Sequence, residues 1–299
     1  MQYVLYGVLG LGLLLLAVAA WQAGMRAQQV AFNLTRPEPS AETATPDDFG
    51  LADWEEVSFE SGEFTLTAWF VPPTTADGAT MVLVPGWTGN RSTVLAEAAV
   101  LHEAGYGALL LNVRNHGTSD GRYTTWGLHE ADDVVAAVDY LQTREDVDPV
   151  RIGALGKSMG GAAVLGAAAA DPDIQAVVSM STYSSLEGNL PSIVQNIGGL
   201  PETFTGLVLR FMERETGHFL TEVNGVDDVA AIAPRPILFM HGANDQLVDP
   251  AQAEELFEAA SEPKELVLVP GAAHIDVLQT DPDLFAESVV GFLDEYLRP

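Results

Sequence analysis

The sequence predicts an α/β fold, a mostly parallel sheet with helices on both faces. Three observations predict it. Short apolar runs recur that are too continuous for strands with one wet face. Segments of helical length alternate with them. One of these strand-to-helix passages is a tight glycine-framed turn around a serine, Gly156-Lys157-Ser158-Met159-Gly160.

The chain starts with a stretch of a different kind. Residues 3–21 carry no charge, include Leu13-Leu14-Leu15-Leu16, and precede the first basic residue, Arg26. A helix of that length spans about 28 Å, close to the thickness of a bilayer's hydrocarbon core. Tyr3, Tyr6 and Trp21 lie near its ends, where amphipathic rings favour the interface. Residues 1–25 therefore read as a transmembrane anchor. The competing reading is a cleaved signal peptide with Ala17-Val18-Ala19 as processing site; the missing basic n-region and the long apolar stretch speak against it. Arg26 and Arg36 follow the span and no Lys or Arg precedes it, so the positive-inside tendency leans toward a cytoplasmic catalytic domain. Residues 26–54 contain Pro37, Pro39 and Pro46, and read as a solvated linker to a domain at 55–299.

Within that domain, 64–71 alternates with period two, and 56–60 before it can pair with it as a hairpin. Apolar runs follow at 81–84, 108–111, 152–155, 176–179, 237–240 and 266–269. Helix-like segments lie at 92–104, 129–143, 161–170, 251–260 and 282–297. The interval 183–233 is too long for a simple crossover and reads as a helical cap insertion, for instance with a helix over 201–215.

Composition narrows the function. The chain of 299 residues has 42 acidic against 13 basic residues, a net charge of −29, which repels phosphate backbones and argues against a nucleic-acid partner. It has no cysteine, which excludes disulfides, thiolate metal sites and a thiol nucleophile. At 47% apolar and 18% charged residues it is not a disordered acidic segment.

The turn around Ser158 is G-x-S-x-G between a strand and an Ala-rich helix, the context this motif needs. The serine must sit on a strained turn where neighbouring side chains would collide, and the helix it opens presents amides to developing negative charge. The overlapping Gly153-Ala154-Leu155-Gly156-Lys157-Ser158 is no phosphate loop, because Arg151 stands at the first-glycine position. A hydrolytic serine also needs a base and an orienting acid. Asp245 follows the 237–240 strand and His274 follows the 266–269 strand, so the chain order is Ser158, Asp245, His274, the order this chemistry uses. Asp249 is the rival acid, with helix capping before Pro250 as its alternative role. The remaining histidines, His102, His116, His129, His218 and His241, read mostly as surface, loop or cap residues. Backbone amides of Trp87, after Gly86, and of Met159 are the candidates for an oxyanion hole. Asn90 reads as a helix cap.

From 55 to 297 the chain resembles α/β-hydrolase-fold serine hydrolases, especially the membrane-anchored BEM46-like and serine-aminopeptidase-like branch. The matching blocks are Val84-Pro85-Gly86-Trp87-Thr88-Gly89-Asn90, the run from Asn112 to Gly121 with Arg114 and His116, the Ser158 turn, 241–249 and Gly271-Ala272-Ala273-His274. The resemblance implies an eight-stranded sheet with a small helical cap. It also implies Ser158 as nucleophile, Asp245 as acid, His274 as base and the Trp87 and Met159 amides as donors, with no cofactor or metal. Pro85 departs from the His usual before Gly86, and Asn112 from a common Asp; neither transfers protons. The acids of His129-Glu130-Ala131-Asp132-Asp133 fit a first helical turn better than a metal site. Trp87, Tyr123, Trp126, Tyr183 and Phe211 could line an acyl pocket, and Leu200, Phe204, Leu207, Leu209 and Met212 could cover it. The expected substrate is a small-molecule or lipid-like ester. An acyltransferase, perhydrolase or peptidase with the same residues, or an inactive tethered binding module, are the alternatives.

Overall fold

The computed structural model describes residues 2–298. Its eight strands are β1 (Glu55–Ser61), β2 (Phe64–Val71), β3 (Thr80–Val84), β4 (Gly107–Asn112), β5 (Ile152–Lys157), β6 (Ala176–Met180), β7 (Ile237–Gly242) and β8 (Lys264–Val269). They form one sheet in the order β1-β2-β4-β3-β5-β6-β7-β8. The β1–β2 hairpin and the β2–β4 pair are antiparallel and all other pairs are parallel. The strands predicted from their apolar runs are all present, each extended by a residue or more or matching at its ends.

The helices are α1 (Gln2–Thr35), α2 (Leu95–Glu103), α3 (Glu130–Gln142), α4 (Met159–Ala170), α5 (Leu186–Asn196), α6 (Thr205–Thr216), α7 (Gly225–Ile232), α8 (Ala251–Ala259), α9 (Val277–Thr280) and α10 (Pro282–Tyr296). Alternate strand residues serve the two faces of the sheet. Val82, Val84, Leu109 and Leu111 pack with Val134 and Val138 of α3, Ala163 and Ala167 of α4, and Val229 of α7. Met81, Leu83, Ala108 and Leu110 pack with Leu95 and Ala98 of α2 and with Phe285 and Val289 of α10. Both faces are covered, which is why β3, β4, β5 and β6 are buried along their whole length. The order reverses at β3, which has β4 on one side and β5 on the other. Open α/β sheets place ligands beyond the carboxyl ends of strands at such a reversal.

The structure corrects the expected division of the N-terminal region. Helix α1 does not end near residue 25 but runs to Thr35. Its first part exposes Leu9, Leu11, Leu13, Leu14, Leu15, Leu16 and Trp21, whereas Ala27, Ala31 and Leu34 are buried. These three recur at helical spacing, so they form a stripe, and the small alanines let α1 lie close against α6. Residues 36–54 are likewise not a solvated linker. Ser40 receives the Asn90 side-chain amide at 2.9 Å, Glu42 pairs with the buried Arg91 at 2.7 Å, and Leu51 is buried in the core. Apart from one 3-10 turn at Pro46–Phe49, which Pro46 opens, the segment is irregular, and polar side chains tie it down.

The interval 183–233 is also more divided than expected. Helices α5 and α6 stand over one end of the sheet, but α7 belongs to the body, with Val229 and Ile232 packed among α3, α4 and α8 residues. The apolar face of α6 is occupied too. Val208 and Met212 are buried against α1 and α5, with Phe204, Leu209 and Phe211 packed beside them.

Candidate active site

Ser158 lies between β5 and α4 with φ 54° and ψ −117°. A non-glycine residue in that region is strained by about 1–3 kcal/mol. The flanking glycines make the turn possible: a Cβ on Gly156 would overlap the Gly160 carbonyl, and one on Gly160 would overlap the carbonyls of Val84 and Pro85. The turn is tied to the sheet by the Ser158 amide, which donates to the Met180 carbonyl at 2.8 Å.

Two residues from later loops converge on the serine. His274 Nε2 is 2.9 Å from Ser158 Oγ, and His274 Nδ1 is 2.7 Å from Asp245 Oδ2. An ionised carboxylate only accepts, so the Nδ1 proton points at Asp245 and Nε2 is left to accept from the serine hydroxyl. Asp245 is buried, and its other oxygen, Oδ1, accepts the amides of Leu247 and Val248, each at 2.9 Å. Burial alone would raise its pKa, but the hydrogen bonds from His241 and His274, with the charge of His274, hold it well below the usual carboxylate range. The rival acid Asp249 is exposed and accepts the Ala251 amide at 3.0 Å, as a cap at the start of α8.

His241 departs from its sequence reading. It is fully buried at the end of β7, with Nε2 3.0 Å from the Val248 carbonyl and 3.1 Å from Asp245 Oδ2. Both neighbours are acceptors, so Nε2 carries the proton and donates to them. The available signal was positional, a histidine ending a strand four residues before the candidate acid.

The loop after β3 closes over the serine. At Gly86 a Cβ would stand 3.4 Å from Ser158 Cβ and 3.3 Å from the Lys157 carbonyl, so the backbone approaches where no larger residue is comfortable. Trp87 follows, and Met159 opens α4, whose first amides have no partner within the helix. The expected cap at Asn90 is present: its Oδ1 accepts the Ser92 amide at 2.9 Å. Asn112, in the place of a common Asp, is buried and its Oδ1 accepts the Arg91 amide at 2.8 Å, anchoring the same loop. Lys157 is buried and neutralised, with Nζ 2.7 Å from Glu97 Oε1 and 2.8 Å from the Thr93 carbonyl.

A cavity of about 330 Å³ opens beside Ser158 and His274. Its apolar wall is Trp87, Trp126, Ile197, Leu247 and Ile275, and Ser40 and Thr43 of the pinned segment stand on its polar side. Trp87 and Trp126 stack with ring centroids 5.3 Å apart. Both indole N–H groups donate to one acceptor, the Leu34 carbonyl in the last turn of α1, each at 3.1 Å. Of the five aromatics expected around an acyl pocket, Trp87 and Trp126 line this cavity. Tyr183 is buried behind it and donates its hydroxyl to the Trp126 carbonyl. Phe211 packs beside the α1–α6 contact, and Tyr123 lines a different cavity with His129 and His218. Ile197 is the one residue of the 183–233 interval that lines the cavity.

The acids at the start of α3 serve the loop before it. Glu130 is fully buried and accepts the amides of Thr125 and Gly127, each at 2.8 Å. Asp133 pairs with Arg114 at 2.6 Å. Among the described residues no group of three or more His, Asp or Glu is arranged to hold a metal ion.

Comparison with known proteins agrees with this architecture. The sequence profile of the prolyl oligopeptidase family matches residues 92–299. The Escherichia coli O157:H7 protein YfhR is 31% identical over 271 residues, covering 85% of this chain and 87% of its own. The Mycobacterium tuberculosis protein Rv2307c is 31% identical over 267 residues, covering 89% of this chain and 86% of its own. Among solved structures, a Pyrococcus furiosus esterase superposes with a TM-score of 0.75 at 24% identity, covering 88% of this chain and 98% of its own.

Proposed function

The chain belongs to the prolyl oligopeptidase family of α/β-hydrolase-fold hydrolases, and on that premise we propose that it is a serine hydrolase of carboxylic esters. One observation carries the reading: the unbroken hydrogen-bonded chain from Ser158 Oγ through His274 to the buried Asp245. In this mechanism His274 Nε2 takes the serine proton as Oγ adds to the ester carbonyl. The imidazolium so formed is stabilised by Asp245, which stays ionised because its proton affinity is depressed. The Trp87 and Met159 amides receive the oxyanion, contacts that exist only once the carbonyl becomes tetrahedral. The same proton then goes to the departing alkoxide, leaving an acyl group on Ser158. Water, deprotonated by His274, releases the carboxylic acid and restores the serine.

An ester is favoured by the cavity. Its wall of Trp87, Trp126, Ile197, Leu247 and Ile275 suits an apolar acyl group, and its one basic side chain of fixed charge, Lys157, is already paired with Glu97. The family's peptidase members make a small apolar amide the second reading. A chain-length panel of p-nitrophenyl esters beside matching p-nitroanilides separates the two, with an added alcohol acceptor to reveal acyl transfer. The expected result is ester turnover that Ser158→Ala abolishes; near-wild-type turnover in that variant refutes the mechanism.

The exposed apolar part of α1, within a helix of mean hydropathy 1.4 over its richest window, is read here as a membrane anchor. Full-length protein then sediments with membranes and resists high-salt and alkaline extraction. A mature N-terminus near Ala20 would instead mean cleavage and export.

A further inference from the structure

The carbonyls in the last turn of a helix find no amide within it and carry the negative end of its dipole. At the end of α1 two of them are met by donors from the loops around Ser158. The Leu34 carbonyl accepts the indole N–H groups of Trp87 and Trp126, each at 3.1 Å, and the Thr35 carbonyl accepts the Thr124 amide at 2.7 Å. A carbonyl oxygen has two lone pairs, so the two indoles use the full capacity of Leu34. The β3–α2 and β4–α3 loops are in this way stapled to one helix end.

Both loops carry a strained residue. Gly86, Trp87, Thr88 and Gly89 form a tight turn closed by the Gly89 amide, which donates to the Gly86 carbonyl at 2.9 Å. Thr88 stands third in it at φ 63°, the left-handed region in which a turn ordinarily places glycine or asparagine. Trp126 is left-handed too, at φ 60°. Residues with side chains stay in that region only where their surroundings over-determine them. Gly86, packed against Ser158, fixes one end of the turn, and Asn90, bonded to Ser40 and Ser92, fixes the other. Between the two glycines, among the described residues, Trp87 alone has a hydrogen-bonded side chain. Its ring lies on that of Trp126 with 19° between the planes, and its N–H reaches Leu34.

The backbone amide of Trp87 is differently placed. Among the described residues it has no acceptor of its own, as a donor kept for an oxyanion requires. Such a donor works only within about 2.7–3.1 Å of the developing charge, so a small tilt of the turn withdraws it. Resting on the serine-hydrolase reading above, with the Trp87 amide as an oxyanion donor, we propose that the last turn of α1 is a positioning part of the oxyanion hole. The Leu34 carbonyl, through the indole N–H of Trp87, holds the turn that aims the Trp87 amide. The indole itself moves no proton and touches no reacting atom.

The test uses the full chain in detergent micelles with p-nitrophenyl butyrate. Replacing the Trp87 side chain by that of benzothienylalanine, the same bicycle with sulfur in place of N–H, removes the donor and keeps the shape and the stack. This is expected to lower kcat at least about tenfold and to leave KM within about twofold. A trifluoromethyl ketone adds to Ser158 as a hemiketal, its oxyanion in the hole and the serine proton on His274. Its affinity should fall by the same factor as kcat/KM, because it reports transition-state binding. The pH profile of kcat/KM should keep its midpoint, since Asp245 and His274 are untouched. The same isostere at Trp126 frees the second N–H but carries no oxyanion amide, and its kcat should fall less. Should the Trp87 isostere not fold, Trp87→Phe is judged by the same kcat and inhibitor measurements. Wild-type kcat without the Trp87 donor overturns the proposal. So does a fall in kcat without loss of inhibitor affinity, a rise in KM alone, or an equal fall for the Trp126 isostere. If Ser158 of the wild type is not labelled by a fluorophosphonate and no ester is cleaved, the serine-hydrolase reading itself fails, and this inference with it.

Discussion

His241 and His274 both donate to the same oxygen of the buried Asp245 carboxylate, at 3.1 and 2.7 Å. Together with the Leu247 and Val248 amides this fills the acceptor sites of Asp245 and leaves it one orientation. His241 touches neither Ser158 nor the cavity, so its influence passes through the carboxylate.

Removing that donor should lower kcat and leave KM unchanged. A hydrogen bond to a charged group contributes about 1.5–3 kcal/mol, so His241→Leu should cost roughly 10–100-fold in kcat on p-nitrophenyl butyrate. His241→Gln, which keeps a donor, should recover part of it. Equal kcat in His241→Leu and wild type would mean that Asp245 is held sufficiently by the two amides.

Exchanging the carboxylates one at a time tests the assignment of the acid. Asp245→Asn should lose on the order of 10⁴-fold in kcat, because an amide at that position favours the wrong imidazole tautomer. Asp249→Asn keeps an acceptor for the Ala251 amide and removes only an exposed charge, so it should change kcat by no more than about twofold. The reverse order of damage would move the role to Asp249.

Asp228, in the first turn of α7, offers a stability test away from the site. Burial, with the neighbouring charge of Asp227, pushes its pKa up to about 6 from 3.8. A carboxyl whose folded pKa is raised binds its proton more tightly when folded. Its cost is therefore fully present above pH 6 and disappears as the pH falls below 3.8. Asp228→Asn should raise the Tm at pH 8 by a few degrees and bring no gain at pH 3.5. The same gain at both pH values, or a loss at pH 8, would refute the electrostatic cause.

The buried end of α1 predicts where the chain can be shortened. A chain starting at Gln22 keeps Ala27, Ala31 and Leu34 and should fold, stay soluble and turn over p-nitrophenyl acetate. One starting at Glu55 uncovers Val208, Met212 and Leu190 and leaves both indole N–H groups without Leu34. It should aggregate or lose turnover. Within the full chain, Leu34→Ala should cost about 2–5 kcal/mol of stability. Equal Tm and turnover for the two shortened chains would show that α1 contributes nothing to the domain.

What the sequence determined by itself was local or repetitive. Continuous apolar runs require cover on both faces, which predicts the parallel sheet. The Ser158 turn is legible because glycines at 156 and 160 are a steric demand of that one turn. Asp245 and His274 are legible because each directly follows a recognisable strand, and strand ends are where such a sheet gathers its chemistry. The tertiary structure decided what depends on which surfaces meet. Ala27, Ala31 and Leu34 are a visible stripe, but only the position of α6 turns that stripe from an exposed face into a buried one. Of the apolar residues of α6 that looked available for substrate, Met212, Leu209 and Phe211 pack in the cluster shared with α1, while Leu207 is exposed. Val229 and Ile232 could belong to a cap or to the body, and contact with α4 and α8 settles it. Trp87 and Trp126 are far apart in the chain, as is Leu34 from both. Their shared hydrogen bond exists only because the fold brings the end of one helix over the mouth of another element's loop, a long-range coincidence that no short-range pattern encodes.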